Sequence, residues 1–180
     1  GGVVAAAGNS VSTSVRDCHN KVSRMNIDLH MKSGNGTYGA VGGVCALSLS
    51  SLEDCSNSAD ITLASYKKNL YFGGVAGYHE YFEARSCNNS GDLVLSLEEP
   101  AGSNQSSAVL FGGVLGFAKK NIYYSNNSGS MTLTGGRAGK TYYVGGILAQ
   151  TNSSVYHYGT ASEYMGNSGD ITVDTPATVR

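Results

Sequence analysis

The chain has 180 residues and a formal charge of −1, with 12 Lys and Arg against 13 Asp and Glu and only 14% charged residues. Such a length suits one domain with one core, and so even a charge balance supplies no basic stripe for phosphates and no polybasic segment for anionic lipid, so nucleic acid and a membrane surface are excluded as expected partners. At 41% hydrophobic residues the chain can fold, yet no run approaches the roughly 18 apolar residues of a spanning helix and Gly1–Ala7 lacks a charged leader region, so the expectation is a soluble chain, mature or an excerpt.

In chain order, one phrase recurs five times. The first copy opens at Gly1-Gly2, passes a short apolar element around Val15, reaches Cys18-His19-Asn20 and runs into Met25 and Ile27, with one extra residue near Arg24. The second runs from Gly42-Gly43 through Leu52 and Cys55-Ser56-Asn57 to Asp60-Ile61-Thr62-Leu63. The third runs from Gly73-Gly74 through Ala84 and Cys87-Asn88-Asn89 to Asp92-Leu93-Val94-Leu95. The fourth runs from Gly112-Gly113 through Ile122 and Ser125-Asn126-Asn127 to Ser130-Met131-Thr132-Leu133. The fifth has Gly145-Gly146, an insertion over 155–164, then Met165-Gly166-Asn167 and Asp170-Ile171-Thr172-Val173. Spacing between copies is uneven, so insertions fall between fixed elements; the repeats are bounded at about 1–38, 39–70, 71–108, 109–141 and 142–180 of a single domain.

Alternation such as Ile61 and Leu63 inward with Thr62 outward is the period of a half-buried strand, and the preceding Ser-Gly-Asp supplies a turn. The Gly pairs disfavour helix and mark a bend or a close backbone approach. Three short strands and three turns per copy, recurring in phase, predict an all-β fold: a right-handed parallel β-helix, or β-solenoid, of about five irregular coils with loop insertions. Parallel stacking brings equivalent positions to about 4.8 Å, so Asn20, Asn57, Asn89, Asn127 and Asn167 are expected to form an inward ladder of bonded amides. Two residues earlier, Cys18, Cys55, Cys87, Ser125 and Met165 are expected to form a second inward column, with the thiols as buried filler. The four cysteines, Cys45 included, have no C-x-x-C spacing, so no metal site and no cofactor are expected.

The residues resemble the GLUG-type repeat of bacterial and protist surface proteins, a hydrophobic-Gly-Gly-aliphatic-x-Gly strand followed by an Asn-Cys-x-Asn-x-Gly turn. Phe72-Gly73-Gly74-Val75-Ala76-Gly77 with Cys87-Asn88-Asn89-Ser90-Gly91 is the nearest copy; Ala5–Gly8 and Leu148–Gln150 depart from it. The resemblance implies a right-handed β-helix used in adhesin-like stalks and in non-catalytic parts of immunoglobulin-cleaving metalloproteases, hence an extracellular or cell-surface location. It implies no catalysis.

The same scaffold type also carries polysaccharide lyases and hydrolases, so the acids are candidate catalysts. Paired carboxylates at roughly 5 to 10 Å would be needed. Asp60, Asp92 and Asp170 share a column, with Glu53 and Asp54 one turn earlier, and read better as turn residues bonding local backbone amides. His79-Glu80 and Glu83 read as solvated loop residues, His19, His30, His79 and His157 fall at different phases, and Gly135–Thr141 reads as a hairpin-like loop rather than a phosphate loop. The 12 tyrosines gather beside the insertions, either covering Gly-rich backbone or offering aromatic contacts. Glycosylation acceptor motifs occur at Asn35, Asn88, Asn104, Asn126 and Asn152, with Asn88 and Asn126 pointing outward. The reading is therefore a non-catalytic structural or adhesive surface protein, whose partners are a protein or glycan, or itself by end-to-end stacking because no helix caps the stack; a carbohydrate-active enzyme is the alternative.

Overall fold

The computed structural model describes residues 2–7, 13–29, 38–65, 69–98, 108–152 and 165–180. Every strand pairing among them is parallel and joins one copy of the repeat to the next, so the fold is a β-solenoid with no helix among the described residues. Five sheets run along the stack. An entry sheet leads into each Gly pair: Gly39–Gly42, Asn69–Gly73, Ala108–Gly112, Thr141–Gly145 and Thr178–Val179. An exit sheet leaves it: Val4–Ala7, Cys45–Ser48, Ala76–His79, Leu115–Ala118 and Leu148–Thr151.

A third sheet holds Ser14–Arg16, Ser51–Glu53, Ala84–Arg85 and Ile122–Tyr123. The Asn sheet is made of the pairs His19–Asn20, Ser56–Asn57, Asn88–Asn89, Asn126–Asn127 and Gly166–Asn167. The alternating sheet closes the coil with Arg24–Leu29, Asp60–Ser65, Leu93–Leu97, Met131–Gly135 and Ile171–Asp174. Between Val4–Ala7 and Leu148–Thr151 the chain completes about four turns, and the strands after Met165 carry part of a further one.

Each coil thus holds five short strands where the sequence suggests three. The Gly pair divides one apparent strand into entry and exit strands around a bend, and the Asn motif, which reads as a turn, is itself a two-residue strand. Register is kept at both landmarks: Gly73 pairs with Gly42 and Gly112, and Asn89 with Asn57 and Asn127. In the first coil Asn20 pairs with Asn57 while Met25 pairs with Ile61, so the additional residue lies between them.

Inward side chains form two core clusters. One gathers Val44, Cys45, Leu52, Cys55, Val75, Cys87, Leu115 and Ile122 behind the exit and third sheets. The other gathers Ile61, Leu63, Phe72, Leu93, Leu95, Phe111 and Leu133 between the entry and alternating sheets. Phe72 and Phe111, register partners, stack with ring centroids 5.0 Å apart, the offset-stacked spacing aromatic pairs favour. Between the third sheet and the Asn sheet the chain turns sharply through one left-handed residue per coil, Asp17, Asp54, Ser86 and Tyr124, with φ of 52 to 53°. Gly135–Thr141 is not a hairpin: Met131–Gly135 and Thr141–Gly145 belong to different sheets, and left-handed glycines Gly135, Gly136 and Gly139 turn the chain between them.

Candidate functional site

The Asn column is a directional chain of amides. Asn20 Nδ2 donates to Asn57 Oδ1 at 2.9 Å, Asn57 to Asn89 at 2.8 Å, Asn89 to Asn127 at 2.7 Å and Asn127 to Asn167 at 2.7 Å. From the second coil onward, each Nδ2 also donates to the carbonyl two residues ahead, that of Ala59, Gly91, Gly129 or Gly169, at 2.8 to 2.9 Å. In the first coil the additional residue changes this, and Asn20 Nδ2 faces Met25 Sδ at 3.1 Å. Buried amides need every partner, and the ladder supplies them within the repeat.

The Gly pair and the Asn motif, far apart in sequence, form one device. A Cβ on Gly74 would fall within contact of the Asn89 amide and the Gly113 carbonyl, and Gly43, Gly113 and Gly146 are held in the same way against Asn57, Asn127 and Asn167. The second glycine of each pair is required because an amide lies where its side chain would be. At the same corner two successive amides share one carbonyl of the next coil: Val75 and Ala76 both donate to Val114 O, at 2.9 and 3.1 Å.

The second column places Cys55, Cys87 and Ser125 in the core, with Cys18 and Met165 partly covered at its ends. All four cysteines, Cys45 included, are free thiols. Burial pushes the Cys45 thiol up to about 11. Cys55 Sγ donates to Val15 O at 3.4 Å and to Glu53 O at 3.3 Å, and Cys87 Sγ to Arg85 O at 3.4 Å; burial beside the neighbouring Cys55 thiol holds the Cys87 thiol well above its ordinary value.

Asp60 and Asp92 bond backbone amides not within their own turn but one coil on: Asp60 Oδ1 accepts from Asp92 N at 3.1 Å, and Asp92 Oδ1 from Ser130 N at 2.8 Å. Each carboxylate therefore staples two coils. His79 is not solvated. It lies fully buried in the exit strand Ala76–His79, in register with Ser48 and Ala118. Its Nε2 sits 2.6 Å from Phe82 O, its Nδ1 has no hydrogen-bond partner among the described residues, and burial pulls its pKa down to about 4.

The outer face of the third sheet carries the charge. Arg16, Glu53, Arg85 and Tyr123 form one outward column. Arg16 pairs with Glu53 at 2.5 Å, Arg85 makes a two-pronged contact with Glu83 and stands 4.4 Å from the Tyr123 ring centre, and Tyr123 OH donates to Glu83 at 3.2 Å. Beside it Lys119 pairs with Glu80, which with Tyr78 raises the lysine pKa. A shallow depression of about 380 Å³ opens here, lined by Ser51, Glu53, Tyr81, Phe82, Glu83, Arg85 and Lys120.

Tyr38, Tyr71 and Tyr78 gather with Phe117 into a third apolar cluster, separate from both core clusters. Tyr78 is sandwiched between Tyr38, at 5.7 Å, and Phe117, at 5.1 Å. The sandwich occupies both faces of the Tyr78 ring. Sugars stack on aromatic faces, so Tyr78 offers them little, and Tyr38, about half exposed, is the ring with open surface.

Among the acceptor motifs, Asn88, Asn126 and Asn152 are exposed, while Asn35 and Asn104 lie outside the described residues, as do His30 and His157. Asn88 and Asn126 are register partners on one outward column, where Asn88 Oδ1 accepts from Asn126 N at 3.1 Å. His19, at the same position of the first coil, faces Ser56 Oγ at 2.8 Å. No group of three or more His, Cys, Asp or Glu side chains among the described residues is arranged to hold a metal ion.

These features define a parallel β-solenoid repeat protein whose recurrent residues bind coil to coil. Compared with protein families, curated proteins and solved structures, the chain matches none.

Proposed function

We propose that this chain is a non-catalytic structural or adhesive element of an extracellular surface protein, a stalk or filament segment of the GLUG-like kind its repeat phrase resembles. The observation that carries the reading is where the recurrent chemistry goes. The Gly pairs, the ladder asparagines and Asp60 and Asp92 all serve coil stacking, and the outward acids Glu53, Glu80 and Glu83 are paired with Arg16, Lys119 and Arg85. A general acid or base works from a carboxyl group with room for substrate and a tuned pKa; paired surface acids are better suited to holding shape. Exposed Asn88, Asn126 and Asn152 with their acceptor motifs fit a secreted chain.

The alternative, a carbohydrate-active enzyme, has one specific observation in its favour: the depression beside Glu53 and Glu83, with Arg85 and Tyr81 on its wall. A polysaccharide panel separates the two. Purified chain is incubated with neutral, acidic and amino polysaccharides, and both retention on each polymer and release of new reducing ends are measured. Retention without release is expected. Release that is lost in a Glu83→Gln variant of unchanged melting temperature would overturn the proposal in favour of the enzyme.

A further inference from the structure

We propose that the depression beside the third sheet binds a carboxylate-bearing sugar, with the Tyr81 ring as the face on which the sugar stacks and Lys120 as the cation that meets its carboxylate. The proposal rests on the adhesive reading above and names its ligand class. The walls come from the second, third and fourth coils, each of which has a coil on both sides: Ser51 and Glu53 from the first of these, Tyr81, Glu83 and Arg85 from the next, Lys120 from the last. At about 380 Å³ the space lies within the size range of small-molecule sites, about 300–1,000 Å³. The charges around it are nearly all matched. Glu53 pairs with Arg16, Glu83 with Arg85 and Tyr123 OH, and Glu80 with Lys119. Lys120 is exposed and makes no ion pair or hydrogen bond among the described residues. One cation left over suits a ligand with one negative charge, and the open carboxylate oxygens of Glu53 and Glu83 can accept from its hydroxyls.

The aromatic wall is open and fixed at once. Tyr81 is 52% exposed, and its ring stacks on no other ring among the described residues. The backbone on both sides of it is tied to the solenoid: Glu80 N donates to Ser48 O at 3.0 Å, His79 Nε2 to Phe82 O at 2.6 Å, and Leu52 N to Glu83 O at 3.4 Å. A carbonyl can only accept, so His79 carries its proton on Nε2. That bond is the only one its buried ring makes. The imidazole in the core therefore has an occupation, which is to fix the segment that presents Tyr81. A ring held in place before the ligand arrives loses little freedom on binding, and sugars stack on such faces.

Isothermal titration of the full chain tests this, using oligosaccharides that carry glucuronate, mannuronate or sialic acid and the neutral methyl ester of each. At least one acid should bind with a Kd below about 10 mM, and its ester about threefold to fivefold more weakly, the worth of one exposed ion pair. Lys120→Gln should bring acid and ester level. Tyr81→Ala should weaken both by about tenfold, whereas Tyr38→Ala, which removes an exposed ring of the separate aromatic cluster, should change neither. Lys120 and Tyr81 are exposed, so both variants should keep the melting temperature of the parent chain. No binding of any of the acids up to about 10 mM, an ester bound as tightly as its acid, or an equal loss in Tyr38→Ala would overturn the site. The adhesive reading fails separately. Retention on a neutral polysaccharide alone leaves that reading standing while the site falls, and cleavage of a bound acid that still depends on Tyr81 and Lys120 leaves the site standing while the non-catalytic reading falls.

Discussion

Replacing Asn89 by Ala deletes the centre of the amide ladder. Asn89 is 1% exposed and makes three bonds: it receives one from Asn57 Nδ2 and donates to Asn127 Oδ1 and to Gly91 O. After truncation the Gly91 carbonyl, the Asn127 amide oxygen and one Asn57 hydrogen are left without those partners inside the core. Each buried group deprived of its bond costs about 1–3 kcal/mol, and water entering the space left by the amide recovers part of this, so a loss of about 3–6 kcal/mol is expected. In a domain of this size that lowers the melting temperature by about 10 °C or more. Asn88→Ala is the control one residue away: it too loses a bond to the next coil, from Asn126 N, but water reaches the groups it leaves. Its cost is about 1 kcal/mol or less. Thermal melts followed by circular dichroism give both numbers. Equal losses in the two variants would refute the reasoning, because they would mean that the Asn89 amide is no better shielded from water than an exposed one.

Gly74→Ala should destabilise by more than about 2 kcal/mol, since the added Cβ meets the Asn89 amide and the Gly113 backbone, while Gly139→Ala, with open space but φ of +79°, should cost only about 1 kcal/mol; urea midpoints rank them. His79 makes stability fall in acid: its folded pKa of about 4 lies below the unfolded value near 6.5, so the unfolded chain binds the extra proton between those values and stability is complete above pH 6.5 and lost as pH drops toward 4. The loss reaches about 3 kcal/mol, and a His79→Gln variant should show a flatter pH dependence of its urea midpoint over that window. Tyr124 holds a left-handed φ of 52°, so Tyr124→Asn should raise the melting temperature by about 2 °C; a decrease would show that its ring contact with Tyr123 outweighs the backbone strain.

The parallel stack was legible because identical residues facing each other across coils leave a column in the sequence: the asparagines, the thiols and the glycine pairs each serve one position of the cross-section. What such columns do not reveal is the angle between them. Asn88–Asn89 is too short to show alternation, and Gly73-Gly74 reads as one extended run although the chain bends there. His79 reads as a solvated residue for the converse reason. Its charge type suggests solvent, yet its column is otherwise Ala7, Ser48, Ala118 and Thr151, small residues of a covered face, and that phase is the available signal. The left-handed corner left no trace, since Asp, Asp, Ser and Tyr share no chemistry beyond the dihedral that the fold imposes on them. Nor could the pairing of each second glycine with an asparagine be seen, because it joins two landmarks across the width of a coil.

The ladder asparagines are separated by 37, 32, 38 and 40 residues, yet every step keeps an amide-to-amide hydrogen bond of 2.7 to 2.9 Å. The cross-section therefore measures position by landmark and ignores how much chain is spent between landmarks. In evolutionary terms, whole repeats can be duplicated or lost, and single repeats can lengthen, without retuning their neighbours, because each coil presents the same donor, the same acceptor and the same glycine to the next. For engineering, it means that a foreign peptide spliced between an alternating strand and the following entry strand would be displayed at an interval set by the solenoid rise of about 4.8 Å per coil.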